Sequence, residues 1–239
     1  MAPFGTLYTL SDRVHPRTRK ILGAAALNGL ELEIPANFEA RVTNKTPEFL
    51  AKFPLGQIPS FEGRSSASSG AGSDGPFFLA ESSAIAQYVA DSGPRHEQLL
   101  GRDAATRAWN QQWILFNDLQ FEATAKDLAA WRLGMESYCA EREARAEKDL
   151  RRWLERYEGH LKRGDGRAWF VNAGAEGPSL ADLVVGGTVL LLYSTYMDAG
   201  MREEYPHVLV FYERLRGIPE LTELYTAPLL EKRKEPEEA

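Results

Sequence analysis

The chain has 239 residues, 44% apolar and 26% charged, enough for one large domain or two small ones with proper cores. Its formal net charge of −6 argues against a nucleic-acid partner, because phosphate binding needs clustered Lys and Arg. A single cysteine, Cys139, excludes a disulfide framework and a cysteine zinc site, no other metal site stands out, and a reducing, cytoplasmic setting is the default. The longest apolar run, residues 183–193, is about half a membrane span and contains Gly186-Gly187, and no basic-then-apolar signal opens the chain, so no membrane partner is expected.

Thr6-Leu7-Tyr8-Thr9-Leu10 alternates in bulk and predicts a short strand, followed by a loop over residues 11–16. From Arg17 the apolar positions Ile21, Leu22, Ala25, Ala26 and Leu27 recur at helical spacing, and Asn28-Gly29 is a helix stop. A second strand is expected at 30–34, an irregular loop at 37–44, and a short helix at 48–52 capped by Thr46-Pro47. Residues 58–62 and 77–80 should pair as a hairpin. Their connection, 63–76, is a Ser/Gly tract longer than a hairpin needs, an inserted mobile excursion or, as the lesser alternative, a flap.

A helical pattern through Ala84, Ile85, Tyr88 and Val89 closes this first unit, and Asp91-Ser92-Gly93-Pro94 reads as a linker. No strand is needed beyond it. One long helix is expected at 103–133, with Ala105, Trp109, Trp113, Phe116 and Gln120 near one stripe, and another at 137–162. Ser179-Leu180-Ala181-Asp182 is a capping box opening an almost wholly apolar helix at 180–196, and helices at 205–216 and 219–225 follow. The expected organisation is a small α/β unit over 1–90, a linker at 91–95, an all-helical unit over 96–228 and a frayed polar tail at 229–239.

Two features of the first unit suit a peptide ligand. Ile58-Pro59 is an X-Pro bond; in the cis form it would turn the main chain of Ile58 outward, ready to pair with another extended backbone. Glu81-Ser82 stands at the start of a helix, where Ser82 as N-cap and the first free N–H groups form an anion site, with Glu81 beside it for an ammonium. Together they describe a holder for an extended peptide with an α-amino acid end. The same groups would also serve as plain scaffold.

Gly5-Thr6-Leu7-Tyr8-Thr9, Thr46-Pro47-Glu48-Phe49-Leu50, Phe53-Pro54-Leu55-Gly56-Gln57-Ile58-Pro59, Glu81-Ser82-Ser83-Ala84-Ile85, Gln112-Trp113 with Phe116, and Ser179-Leu180-Ala181-Asp182 carry a resemblance across essentially the whole chain. The chain resembles the glutathione S-transferase superfamily, and within it the transferase-like N-terminal module of the gamma subunit of eukaryotic elongation factor 1. The resemblance implies a thioredoxin-like N-terminal domain, an all-α C-terminal domain and a homodimer. It implies glutathione as co-substrate, a small electrophile as acceptor and elongation factor 1 subunits as alternative partners. Ile58 would meet the cysteinyl part beside Pro59, Glu81 and Ser82 the γ-glutamyl end, and Gln57 or Lys52 a carboxylate; Trp113 and Phe116 would line an acceptor pocket or simply pack.

The superfamily activates the thiol with a Tyr, Ser or Cys hydroxyl or thiol donor near the start of the first helix. Here that loop reads Leu10-Ser11-Asp12-Arg13-Val14-His15-Pro16. Counting back from Arg19-Lys20, His15-Pro16 takes the place of the usual Ser-Pro; counting from the strand end, Ser11 is the nearest hydroxyl. Ser11, His15 and Arg13 are therefore the candidate activators, with no catalytic donor as the fourth possibility. Tyr8 belongs to the strand and reads as packing. Two functions stay open: conjugation of glutathione to electrophiles, or a docking module with weak or absent catalysis.

Overall fold

The computed structural model describes residues 3–10, 14–63, 75–163, 169–172 and 176–236. The expected Ser/Gly excursion, Ser11 and Arg13 lie outside the described residues. A four-stranded sheet in the order β2-β1-β3-β4 is built from β1 (Gly5–Tyr8), β2 (Leu32–Glu33), β3 (Ser60–Gly63) and β4 (Phe77–Leu79). β1 pairs parallel with β2 and antiparallel with β3, and β3 forms the expected hairpin with β4. The strands are shorter than the alternation suggested: β1 ends at Tyr8, because Thr9 turns its hydroxyl onto Thr18 2.5 Å away.

Helix α1 (Pro16–Asn28) begins with Pro at its first turn and ends at Gly29, whose φ of 65° donates its N–H back to Ala25 and Ala26. α2 (Pro47–Lys52) is capped by Thr46, whose hydroxyl accepts from Phe49 N. α3 (Ser82–Asp91) packs beside α1, and Asn28 locks the pair: its amide donates to Val89 O and Ala90 O while its oxygen accepts from Arg95 N. The sequence hid a short 3₁₀ turn (Thr43–Lys45) in the expected loop and a further helix, α4 (His96–Leu100).

The long helix expected at 103–133 is three pieces. α5 (Ala104–Phe116) runs into a π turn (Asn117–Phe121) and then α6 (Glu122–Ala129). α7 (Ala140–Arg163) and α8 (Leu180–Thr195) follow as expected, α8 with Ser179 and Asp182 in a complete capping box. α9 (Ala199–Glu203) was not legible, α10 (Pro206–Arg216) was, and the helix expected at 219–225 is only a succession of turns. Two residues of the expected polar tail are held: Leu230 N donates to Tyr193 O, and Arg233 stacks on Tyr196 and donates to its hydroxyl.

α8 is buried along nearly its whole length and joins the two halves. Its Gly186-Gly187 pair exists for close approach: a Cβ on Gly186 would lie 2.1 Å from Leu215, and one on Gly187 3.2 Å from the Pro16 carbonyl oxygen of α1. No helix among the described residues is long and apolar enough to cross a membrane.

Asp182 is the polar centre of this core. Fully buried, it accepts from Phe170 N and Ser179 N, both at 2.8 Å, and from Ser179 Oγ at 2.6 Å. Burial pushes its carboxyl up to about 6 against the opposing pull of those donors. A folded pKa above the unfolded 3.8 means that the folded state holds the proton more tightly, so this contribution to stability is full below about pH 4 and lost as pH rises through 6. The unfolding free energy of the wild type minus that of Asp182→Asn should therefore fall by on the order of 2–3 kcal/mol between about pH 4 and pH 7. Urea unfolding at both pH values measures it; a pH-independent difference contradicts the assignment.

Candidate functional site

Four segments carry the candidate residues: the end of β1 with the first turn of α1, the approach to β3, the start of α3, and the π turn after α5; Lys20, Ser83 and Asp118 join the first, third and fourth. The Ile58-Pro59 bond is cis, and Ile58 precedes β3, outside its ladder. The turn before it is held firmly. Gly56, at φ 55°, presents its carbonyl to Asn44 Nδ2 at 2.6 Å and Lys45 Nζ at 3.0 Å, and Ser60 Oγ donates to Gln57 O at 2.7 Å. Pro59 is buried, while Ile58 is half-buried and Gln57 exposed.

At the start of α3, Ser82 is not the N-cap. Glu81 takes that place with φ 65° and ψ 110°, a left-handed conformation rare for a non-glycine residue, and Ser82 is the first helical residue. The helix start still offers free N–H groups with no side-chain cap upon them. A glutamate held at positive φ is strained, and such outliers collect at ligand sites. Glu81 is exposed and makes no ion pair with another described residue.

Beneath this helix start lies a buried polar cluster. Lys20 of α1 is 1% exposed; its Nζ donates to Ser83 Oγ at 2.7 Å and to both Asp118 oxygens at 3.0 and 3.1 Å, and Ser83 Oγ also donates to Asp118. Arg17, one turn earlier on α1, reaches Glu122 at 2.5 Å, one turn beyond Asp118. The π turn widens the helix where Asp118 sits, a common feature of functional positions. None of these residues was singled out from sequence. The signal was there: Lys20 lies on the apolar stripe of Ile21, Ala24 and Leu27, where a lysine needs a buried anion.

The remaining candidates divide. His15 is the N-cap of α1, and its Nδ1 meets Thr18 Oγ1 at 2.8 Å, while Thr18 in turn holds Thr9; this chain fixes both ends of the segment that carries Ser11 and Arg13. Lys52 is engaged elsewhere, donating to Glu62 at 2.7 Å beside Tyr8, whose hydroxyl donates to the same carboxylate at 2.9 Å. Burial and Glu62 push the Tyr8 phenol up to about 12, in keeping with packing rather than proton chemistry. Lys45 sets its ammonium on Gly56 O, beside Gln57. Trp113 and Phe116 face α7, against Tyr157, with Trp113 also on His160 and Phe170 and Phe116 on Trp153; the structure does not join them to Glu81 and Ser82.

The Lys20 ammonium is buried while the Asp118 carboxylate is 23% exposed, so the pair is costly to break from the acid's side and cheaper to replace whole. Asp118→Leu alone, which strands the buried ammonium, should destabilise the fold by roughly 3–5 kcal/mol, Lys20→Met by less, and Lys20→Met/Asp118→Leu by clearly less than the sum of the single variants. A double-mutant cycle by urea unfolding reads the coupling; additive effects contradict the pairing.

Comparisons with known proteins bear on the family and the fold. The family model "Glutathione S-transferase, N-terminal domain" matches residues 5–91, and "Glutathione S-transferase, C-terminal domain" matches residues 121–219. The Glutathione S-transferase-like protein LUC7 of Fusarium sp is 43% identical over 96% of both chains. Elongation factor 1-gamma-A of Xenopus laevis is 33% identical over 90% of this chain but only 45% of its own length. Among solved structures, glutathione S-transferase-I bound with lactoylglutathione superposes with a TM-score of 0.73 at 26% identity, over 94% of this chain and 99% of that one. With both domains matched in order and a full-length relative above 40% identity, the chain belongs to the glutathione S-transferase family.

Proposed function

We propose that the chain binds glutathione between Ile58 and Glu81–Ser82 and conjugates its thiolate to small electrophiles, as a cytoplasmic homodimer acting in detoxification. The observation that carries the reading is the left-handed Glu81 at the uncapped start of α3, in the same domain as a cis-Pro turn whose Ile58 lies outside the strand ladder. The ammonium of the γ-glutamyl end goes to Glu81, and its carboxylate to the Ser82 hydroxyl and the free N–H groups behind it. The Ile58 main chain pairs with the cysteinyl residue, and Gln57 with Lys45, or Lys52 once released from Glu62, takes the glycyl carboxylate.

The chemistry needed is modest. A thiol of pKa about 8.5 is a few per cent ionised at neutral pH, and lowering it by about two units takes roughly 2.7 kcal/mol. One charge-assisted hydrogen bond supplies about 1.5–3 kcal/mol. Ser11, Arg13 and His15 all lie on the segment entering α1, whose N-terminal end adds a favourable dipole for an anion. The thiol proton passes to solvent, and the thiolate then attacks the electrophile, forming the carbon–sulfur bond as a leaving group departs with its electron pair or as an activated double bond opens and takes a proton from water.

A second reading has its own support in the likeness to elongation factor 1-gamma-A: a docking module of the elongation factor 1 complex with weak or lost catalysis. The place of the usual activating hydroxyl, filled by His15 when counted from Arg19-Lys20, favours it.

Calorimetric titration with millimolar glutathione should give saturable binding, weakened about 10-fold or more in both Glu81→Gln and Ser82→Ala. No heat from the wild type would sink the binding claim. Conjugation measured over a panel of electrophiles should drop at least about 10-fold in Ser11→Ala, His15→Ala or Arg13→Ala. Full activity in all three means the donor lies elsewhere, and no activity in the wild type beside intact binding favours the docking module.

A further inference from the structure

A cavity of about 240 Å³ opens on the helical domain, lined by Trp109, Gln112 and Trp113 of α5 and by Arg156, His160 and Arg163 of α7. The spacings i, i+3, i+4 on one helix and i, i+4, i+7 on the other put each set on a single helical face. α7 packs on α6 and α10, while it meets α5 here through large side chains: Arg156 lies over the Trp113 and Phe116 rings, 5.1 and 4.9 Å from their centroids. All six lining residues belong to α5 and α7, none to the segments that carry Ile58, Glu81 and Ser82. The cavity therefore stands apart from the glutathione reading.

Its walls are aromatic and cationic, and none of the lining residues is acidic. Arg163 donates Nε to Gly159 O at 2.9 Å, and neither Arg156 nor Arg163 makes an ion pair with another described residue. Two like charges lining one cavity are unfavourable until an anion joins them. Trp113 is 3% exposed, and its indole N–H has no acceptor among the described residues, a donor that the protein itself leaves unsatisfied. Trp109 is the opposite case, a large ring left 50% exposed. His160 is already engaged: its Nε2–H donates to Phe170 O at 2.9 Å, and its ring packs on Trp113 and Phe170, so it serves as wall.

We propose that this cavity binds a small planar aromatic carboxylate, with its carboxylate on Arg156 and Arg163 and its ring against Trp109. The volume sets the size: drug-sized ligands occupy about 300–1,000 Å³, so one or two fused rings suit this smaller space. The guanidinium fork matches a carboxylate through two parallel N–H donors, which gives direction as well as charge. Gln112 adds an amide beside them. An inorganic anion would answer the arginines and leave Trp109 in water. A neutral ring would cover Trp109 and leave the two charges unanswered. A ring that carries a carboxylate uses both walls.

Titration calorimetry on the whole chain with three probes tests this: 2-naphthoate, its neutral counterpart 2-naphthamide, and acetate. 2-Naphthoate should bind saturably, one per chain, and more weakly as salt rises. Arg156→Gln and Arg163→Gln should each lower its affinity at least about 5-fold, with Arg156→Lys in between, while the weaker binding of 2-naphthamide stays as in the wild type. Trp109→Ala should cost 2-naphthoate a similar factor. Thermal unfolding of each variant shows that the fold is intact. Unchanged 2-naphthoate affinity in both arginine variants overturns the proposal, and so does 2-naphthamide binding as tightly as the acid. Acetate binding as tightly as 2-naphthoate reduces the cavity to a bare anion contact and overturns it too. Displacement of 2-naphthoate by glutathione would seat the probe at the start of α3 instead, and no saturable binding at millimolar 2-naphthoate leaves the cavity without its ligand; either result also refutes the assignment.

Discussion

The structure turns on one buried lysine. Lys20, 1% exposed, ties α1 to the first turn of α3 through Ser83 and to the helical domain through Asp118. A lone ammonium in that place would be prohibitively costly, so its two partners are obligatory, and they fix the relation of three elements at once. The strained Glu81 stands two residues before Ser83, so whatever holds Ser83 also holds the open end of α3. Stability and ligand geometry thus meet in a single hydrogen-bonded cluster.

That arrangement gives the two domains different parts to play. The sheet unit supplies main-chain recognition: a cis-Pro turn braced by Asn44 and Lys45, and a helix start free of any side-chain cap. The helical domain supplies charge at the seam, from Asp118 on the π turn and Glu122 just beyond it. α8 makes the partnership rigid, since Gly186 and Gly187 let it approach α1 and Leu215 closely. Tail residues Leu230 and Arg233 then fasten the far end of the same helical core.

Much of this was legible in the sequence, for identifiable reasons. Helix punctuation was explicit at Asn28-Gly29, Thr46-Pro47 and Ser179–Asp182, each a side-chain or glycine device with a local cause. Ile58-Pro59 and Glu81-Ser82 were readable because a proline and a helix start constrain the backbone whatever surrounds them. Where tertiary contacts decide, reading failed. The π turn at 117–121 follows from packing and leaves no periodic mark, and the turns at 219–225 carry helical spacing without becoming a helix. The tail looked frayed because the groups that anchor Arg233, Tyr196 and Glu147, lie far away in sequence. Lys20, Arg17, Asp118 and Glu122 read as ordinary charges, since nothing local pairs residues about a hundred positions apart.

The central claim is that an extended peptide lies between Ile58 and the start of α3, with its α-amino acid end at Glu81 and Ser82. A crystal structure grown in millimolar glutathione tests it most directly. The account predicts the cysteinyl main chain hydrogen-bonded to Ile58 and the γ-glutamyl end at Glu81 and Ser82. Glutathione seated elsewhere, or an empty site at saturating ligand, would contradict it.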